Sequence, residues 1–592
     1  MARGKHFING TDDLDLRLLR SLLINDKSLR LIPEKKVLYR QHHSDERKVI
    51  VISGGGSGHE PAHAGFVGEG MLDVAIAGSI FASPSAPQIL AGIEALDAPL
   101  GTLLIIKNYT GDKLNFGLAA EQAKAQGRDV RTVFVEDDVS IKDNELVGRR
   151  GLAGTVLVHK TAGAAAANGW SLDEVTRVAQ KTADSMATVA VSLDRCSVPQ
   201  REDLERLDPD TVEYGMGIHN EPGAERGKLI SLEETAAKLL TILLSGDEHS
   251  GTSFESSEVA VLVNNLGGLS VLELHIVAEE ILRQLGRRVP KIRRVFIGTF
   301  VTALDGPGVS VTLLKLDSEL EALLDAPTAV NAWPKSAFGY SQTELERQIV
   351  STKADAVVEN LAVPKLPLPR QLFQNVISSV AQTVQRDEPL ITKYDTIAGD
   401  GDCGTTLLTG ANALAAYAKD MSSETVDVAM TFRQIASLIQ ETMGGTSGAI
   451  YAIFFNAVST ALERCAAGAG RLAYSKVFAE ALAQGLTELC KYTSARVGSR
   501  TIMDALIPFI ETLHKRPDNL RAAVVAARSG AEKTKRMEAK LGRASYVTRE
   551  QLSLEEEGIP DPGALGVVSI LDGVVAGLSG FPRDDETTGK ST

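Results

Sequence analysis

Cysteine is scarce in this 592-residue sequence: only Cys196, Cys403, Cys465 and Cys490 occur, and none forms a CxxC pair. That excludes a disulfide framework and suits a reducing compartment. Positive charge is in deficit too, 62 Lys and Arg standing against 76 Asp and Glu for a net charge of -14. Such a surface repels polyanions and forgoes the electrostatic attraction that dominates nucleic-acid affinity, so neither a nucleic acid nor an anionic membrane is expected as a partner. Long hydrophobic runs are missing as well. No stretch of about 18 apolar residues occurs, and Met1 to Asn9, carrying Arg3, Lys5 and His6, lacks the apolar segment of a secretory signal. A soluble, cytoplasmic protein is expected. The chain also lacks a Walker A loop: Gly589-Lys-Ser-Thr592 imitates its last letters without the upstream glycine or a following helix.

What is present is globular in composition, 44% hydrophobic and 23% charged. At about 100–200 residues per domain the length accommodates three or four folding units. The first half alternates β-branched runs (Val49 to Ile52, Leu103 to Lys107, Val130 to Val135) with helix-like stretches, an α/β pattern. A second such series contains Val259 to Val263, Val295 to Val301 and Val309 to Leu316. Prolines 327, 334, 364, 367 and 369 then punctuate a segment of fading periodicity, in which Thr343 to Leu361 could form a helix. Beyond it, alanine-rich helical periodicity takes over at Ala411 to Ala418, Phe432 to Glu441, Lys476 to Cys490 and Leu520 to Lys540. The expected architecture is multidomain: α/β lobes at 1–190 and 191–335, a linker at 336–370, an all-α domain at 371–585 and a disordered tail at 586–592.

Several segments carry chemistry. Val49-Ile-Val-Ile-Ser-Gly-Gly-Gly-Ser-Gly-His59 is a strand running into a glycine-rich turn, whose backbone N–H groups can approach a polar ligand closely, though its spacing is not the Rossmann fingerprint. His59 to His63 spells the H-E-x-x-H of zinc proteases, but Pro61 lies between the histidines in a turn, so the two are not secured on one helical face and a zinc site is not expected. Lys107-Asn-Tyr-Thr-Gly-Asp112 ends a strand, where ligand groups converge in α/β sheets; by type, Asp112 serves equally as a turn residue. His219 lies in a turn dense in Gly, Asn and Pro, free to be a base, a metal ligand or a nucleophile toward a carbonyl carbon.

The densest cluster is Asp395-Thr-Ile-Ala-Gly-Asp400-Gly-Asp402-Cys-Gly-Thr-Thr. Three carboxylates within eight residues repel one another unless a hard cation neutralises them, and oxygen donors of this number suit Mg2+ or Ca2+. The spacing is not that of an EF-hand. Two glycine-polar turns follow, Gly444-Gly-Thr-Ser-Gly448 and Gly498-Ser-Arg500-Thr-Ile-Met-Asp504, and then the rigid Pro560-Asp-Pro-Gly563. Backbone N–H groups at a helix start together with an arginine make a phosphate cradle.

Taken together, Gly54-Gly-Gly-Ser-Gly-His59-Glu-Pro, Lys107-Asn-Tyr-Thr-Gly-Asp112, Gly215-Met-Gly-Ile-His219-Asn-Glu, Asp395 with Gly399-Asp-Gly-Asp402-Cys-Gly-Thr-Thr, and Gly444-Gly-Thr-Ser-Gly resemble the single-chain ATP-dependent dihydroxyacetone kinases, or triokinases, over nearly the whole chain. The resemblance implies two α/β lobes that bind the triose and a helical domain that binds ATP and Mg2+. It implies that His219 forms a covalent hemiaminal with the substrate ketone, that Gly56, Ser57, Gly58, His59, Lys107 and Asp112 surround the triose, and that Asp395, Asp400 and Asp402 hold the metal. Asp112 is then the general base, assisted by His59. Nucleotide contacts are implied at Asp402, Cys403, Gly404, Thr405, Gly445, Thr446, Ser447, Ser499, Arg500, Asp561, Pro562 and Gly563, with Arg500 a candidate for stabilising transition-state charge. A covalent bond also explains how so small and uncharged a ketone is selected over glycerol. D-Glyceraldehyde is a further expected substrate and a homodimer the expected assembly. The alternatives are a second activity that splits FAD into AMP and cyclic FMN, and a noncatalytic dihydroxyacetone sensor.

Overall fold

Ile50 to Ile52 and Leu103 to Ile106 carry apolar residues at consecutive positions because the sheet they enter is covered on both faces. Ile50, Ile52, Leu104 and Ile106 join one buried cluster, and Val51, Leu103 and Ile105, on the alternate positions, join another. The computed structural model describes residues 7–8, 13–41, 47–141, 148–199, 206–245, 254–289, 291–334, 338–350, 366–468, 473–539, 541 and 558–579. It divides into two units, Met1–Lys353 and Ala354–Thr592.

The first unit contains two six-stranded sheets. One comprises β1 (Leu29–Ile32), β2 (Val37–Arg40), β3 (Ile50–Ser57), β4 (Val74–Ile80), β5 (Thr102–Lys107) and β6 (Val130–Val135), in the order β1-β2-β4-β3-β5-β6. Strands β4, β3, β5 and β6 run parallel. Helices α1 (Leu14–Asn25), α2 (Ala86–Glu94), α3 (Thr110–Ala125), α4 (Thr155–Ala167) and α5 (Leu172–Asp184) accompany this sheet. The chain passes from β3 to β4 on one side and returns through α2 to β5 on the other, so the crevice at the ends of β3 and β5 is where a ligand finds room.

The second sheet has the order β11-β10-β12-β7-β8-β9, from β7 (Met186–Ser192), β8 (Thr211–Tyr214), β9 (Glu225–Lys228), β10 (Glu258–Asn265), β11 (Ile292–Gly298) and β12 (Gly308–Leu316). Only β10 and β11 are parallel. Helices α6 (Leu232–Ser245) and α7 (Val271–Arg288) cover one face; α8 (Ser318–Asp325) and α9 (Gln342–Gln348) follow β12. Strand β7 spans the boundary expected at 190/191 and belongs wholly to the second sheet, because its Ala187 to Ser192 backbone pairs with β12.

Both ends of the expected linker are structured. Tyr340 donates its backbone N–H to the Ile292 carbonyl, and α9 stops at Gln348, short of the expected Leu361. At the other end β13 (Pro367–Pro369) pairs with β14 (Thr425–Asp427), a small ladder in an otherwise helical unit. Residues 351–365 and the tail expected at 586–592 lie outside the described residues.

Among the described residues, the helices of the second unit are α10 (Arg370–Ala398), α11 (Cys403–Asp420), α12 (Val428–Thr442), α13 (Gly445–Gly468), α14 (Tyr474–Leu489), α15 (Met503–Lys515), α16 (Leu520–Lys533) and α17 (Pro562–Ser579). Each packs on the next and α17 packs on α10, so the eight close into a ring. The expected helix to Lys540 ends at Lys533 and continues as a 3-10 turn, Thr534–Arg536. The ring encloses an apolar cavity of about 520 Å3, lined among others by Phe373, Val380, Leu407, Phe454, Phe509 and Leu571. Helix α17 corrects one expectation. Its 18 residues reach a mean hydropathy of 1.6, long and apolar enough to cross a membrane by composition. Half of it is buried in the ring, and its Asp572 pairs with Arg528 of α16.

Candidate functional site

Strand β3 ends at Ser57 and delivers His59 into a turn, where the imidazole is fully buried. Gly58 adopts φ +103, and a Cβ there would sit 2.7 Å from the Phe81 ring, so only glycine lets that ring stack on His59 at 5.1 Å. His59 Nδ1 lies 2.8 Å from the Thr302 carbonyl, in a loop held by Asn264, whose side-chain oxygen accepts from the N–H groups of Phe300 and Val301. His219 comes from the β8–β9 connection, pinned by Asn220, which exchanges hydrogen bonds with the Cys196 backbone. Its ring is walled edge-on by Phe81 at 5.1 Å and Tyr109 at 4.8 Å.

The tautomers follow from the partners. A carbonyl only accepts, so His59 carries a proton on Nδ1. Glu221 accepts at 2.7 Å from His219 Nδ1 and at 2.9 Å from the His219 backbone N–H. Burial opposes that carboxylate, but the hydrogen bonds and charge of His219 outweigh it and bring Glu221 down to about 2. The two Nε2 atoms then face each other at 3.0 Å. Two bare lone pairs would repel at that distance, so one proton lies between them. Burial, with the Lys107 and His219 charges, pushes His59 well below the usual histidine range.

Lys107 at the end of β5 and Asp112 in the first turn of α3 are both buried. Burial lowers Lys107 against the pull of Asp112, Asp137, Glu221 and Glu60. Burial also raises Asp112, against a hydrogen bond from Ser83 and the charges of Lys107 and His219. The structure thus brings His59, Lys107, Asp112 and His219 together beside the end of β3 at Gly56, Ser57 and Gly58. Ser57 Oγ itself is committed, donating to the Gly78 carbonyl at 2.8 Å. The H-E-x-x-H string adopts a bend and turns ahead of the short 3-10 segment Ala64–Phe66, not a helix, so its histidines do not share a helical face. Glu221, Phe81, Tyr109, Ser83 and Thr302 were not assigned from the sequence. Glu221 and Tyr109 sit inside the motifs that carry the resemblance; Thr302 and Phe81 have no local signal.

In the ring, every second connection, α10–α11, α12–α13, α14–α15 and α16–α17, contributes to the wall of one cavity of about 440 Å3. Sequence segments far apart, Asp395 to Cys403, Gly444 to Ser447, Tyr492 to Met503 and Asp561 to Gly563, meet there. Asp395, Asp400 and Asp402 each offer a carboxylate oxygen within 4.8 Å of the others. The turn between them needs glycine at 401, with φ +78. Asp395 Oδ2 accepts from the Cys403 N–H at 2.9 Å, and burial pushes the Cys403 thiol up to about 12, so it is no competing thiolate ligand. An all-oxygen, anionic donor set fits Mg2+.

Asp504 accepts from the N–H groups of Gly498 and Thr501, fixing the turn that carries Arg500 at φ +58. Arg500 is buried; Nη2 donates to the Ile559 carbonyl, while Nε and Nη1 have no partner among the described residues. Asp561 caps α17, accepting from the Ala564 N–H at 2.8 Å, and burial raises it to about 6. Asp402, Cys403, Gly445, Thr446, Ser447, Arg500, Asp561, Pro562 and Gly563 line the cavity. Gly404, Thr405 and Ser499 do not. Gly404 faces α10, where a Cβ would meet Thr392 Oγ1 at 2.3 Å; Thr405 Oγ1 donates back to the Asp402 carbonyl; Ser499 Oγ accepts from the Arg496 N–H.

Known proteins agree with this division. Residues 20–332 match the Dak1 domain and residues 397–576 the DAK2 domain. Dihydroxyacetone kinase 2 of Saccharomyces cerevisiae is 44% identical over 576 residues, covering 94% of this chain and 96% of its own. Triokinase/FMN cyclase of Homo sapiens is 39% identical over 583 residues, covering 97% and 99%. The crystal structure of the dihydroxyacetone kinase from C. freundii in complex with AMP-PNP and Mg2+ is similar with a TM-score of 0.65 at 34% identity, covering 97% of this chain and 99% of that one. With like sequence over nearly the whole length and both domain families in order, the chain belongs to the dihydroxyacetone kinase family.

Proposed function

We propose that this chain phosphorylates dihydroxyacetone, and D-glyceraldehyde, at the expense of ATP, with the ketone held covalently on His219. The observation that carries this reading is the His59–His219 pair, two imidazoles 3.0 Å apart sharing one proton, with Glu221 behind the second. When His219 passes that proton to His59, its Nε2 lone pair is free to attack C2 of the ketone. The carbonyl π electrons move to oxygen, which takes the proton from His59 Nε2, and a neutral hydroxyl results. The substituted imidazolium of His219 remains opposite the Glu221 carboxylate, so charge is conserved. Glycerol has no carbonyl to attack and is rejected.

Asp112 receives the proton of the terminal hydroxyl as that oxygen attacks the γ-phosphorus, and ADP leaves. Burial suits Asp112 to the task, since a raised carboxyl is a stronger base than a solvated one. Asp395, Asp400 and Asp402 would hold Mg2+, which when bound offsets phosphate charge. Arg500, with Nε and Nη1 unpartnered in the cavity wall, binds phosphate oxygens, and the N-terminal N–H groups of α11 and α13 support it. In the same reading the enzyme is a cytoplasmic homodimer; its four free cysteines suit a reducing compartment, and light scattering checks the assembly. The relatives named Triokinase/FMN cyclase favour a second activity at the nucleotide cavity, splitting FAD to AMP and cyclic FMN, which is assayed with dihydroxyacetone absent.

The test is ADP release from Mg-ATP with and without dihydroxyacetone. Ketone-stimulated release in the wild type, lost in His219→Ala and in the double variant Asp400→Asn/Asp402→Asn, supports the reading. A wild type that captures the ketone yet releases no ADP makes the chain a sensor.

A further inference from the structure

Arg150, in the connection between β6 and α4, has no role in the reaction as proposed, yet its guanidinium reaches the loop that carries His219. Nε and Nη2 both lie on Asp138 Oδ2, at 2.8 and 2.6 Å, and Nη2 also donates to the Gly215 carbonyl at 2.6 Å. Asp138 is fully buried and fixed in turn, its Oδ1 accepting from the Ser140 N–H and hydroxyl. These bonds set the plane of the guanidinium. Its remaining end, Nη1, is buried with no partner among the described residues.

That end is turned toward Glu221. The two side chains close over Gly217, where a Cβ would lie 2.1 Å from Glu221 Oε2 and 2.5 Å from Arg150 Nη1. No hydrogen bond joins them, so Arg150 meets the carboxylate as a charge across a short gap. Oε2 is also the oxygen that accepts from the His219 backbone N–H, while Oε1 accepts from its Nδ1. Glu221 is thus shared between the His219 ring and a cation that keeps its proton at every working pH. The other titratable groups around His219 are His59 and Tyr109, with the Asp112 charge; Lys107 faces Glu221. Burial, and then Glu221, push Tyr109 well above the usual tyrosine range, so it stays neutral.

We propose that Arg150 is a positioning residue for His219: its charge, held against Glu221 by Asp138 and the Gly215 carbonyl, keeps the facing His59 and His219 rings at one shared proton near neutral pH. The inference rests on the covalent reading of His219. Ketone capture needs that single proton. With none, the ketone oxygen has no donor; with a second, no Nε2 lone pair is left to attack C2. A neighbouring cation weakens both protonations, so Arg150 sets where on the pH axis the two limbs of capture fall.

The readout is capture of dihydroxyacetone labelled with carbon-13 at C2, followed across pH by NMR as loss of the carbonyl resonance, with ATP absent. Arg150→Gln removes the charge, and both limbs are expected to move up by about 0.5 to 1 pH unit. Asp138→Asn leaves the Arg150 charge unbalanced, and both limbs should move down. Arg150→Lys keeps a cation and should return them to the wild-type position. A packing role would instead lower the plateau in each variant and leave the limbs in place. Limbs unmoved in Arg150→Gln, or moved the same way in Arg150→Gln and Asp138→Asn, overturn the inference; Asp138→Asn decides alone should Arg150→Gln fail to fold. A wild type that captures no ketone sinks the covalent reading instead. NMR titration of the His219 ring, assigned against His219→Asn, then decides the role of Arg150 without substrate: a midpoint that rises in Arg150→Gln supports it and an unchanged one overturns it.

Discussion

At the scale of single residues, the ketone site is a set of hydrogen-bond commitments that leave few degrees of freedom. Thr302 fixes one ring nitrogen of His59 and Glu221 one of His219, and the remaining pair must share a proton. Glu221→Gln keeps the shape and loses the charge opposite the substituted imidazolium. Steady-state kinetics should then show kcat/KM for dihydroxyacetone lower by about 10- to 100-fold, the worth of one charge-assisted hydrogen bond. Asp561 makes a stability prediction with a definite sign. Burial raises its folded-state value to about 6, above that of an unfolded carboxyl, so the native state binds the extra proton between about pH 4 and 6. Stability is therefore lost as pH rises through that window, by up to about 3 kcal/mol. In thermal melts without ligand, Asp561→Asn should flatten this slope and melt higher than the wild type at pH 7.

At the scale of elements, the nucleotide cavity exists because alternate connections of a closed helical ring meet at one end. Helical periodicity made α12 and α14 legible, since their apolar faces repeat at helical spacing, and Asp427 caps the start of α12. It could not show that α17, the most apolar of the described helices, is apolar because it packs against α10, α15 and α16. Close approach within the ring gives a test. A Cβ on Gly530 of α16 would come within 1.9 Å of the Asp504 carbonyl oxygen, and Asp504 holds the turn that presents Arg500. Gly530→Ala is expected to cost about 1 to 3 kcal/mol, read as a lower Tm, and to raise the KM for ATP as that turn shifts. An unchanged KM with a lower Tm would confine the effect to helix packing.

At the scale of the whole molecule, each unit closes its own hydrophobic core, from Leu19 to Trp333 in one and from Phe373 to Leu571 in the other. A fragment of residues 1–353 should accordingly fold alone, melt cooperatively and bind dihydroxyacetone calorimetrically, while releasing no ADP from Mg-ATP. A fragment that binds no ketone would show that the site needs the helical unit.

The sequence by itself determined the division into sheet-bearing and helical parts, through the change from period-two to helical patterning, and the identity of the chemical groups, because the glycine turns that carry His59, His219 and the three aspartates are contiguous motifs. Tertiary structure alone decided which groups meet. His59 and His219 stand 160 residues apart in sequence and 3.0 Å apart in space, and Thr302 reaches His59 from another sheet. Strand β7 joined the second sheet, and Gly404, Thr405 and Ser499 turned away from the cavity, because backbone pairing and packing set direction where a motif sets only residue type. A protonation state that depends on two rings facing each other at hydrogen-bond distance has no counterpart in the one-dimensional string.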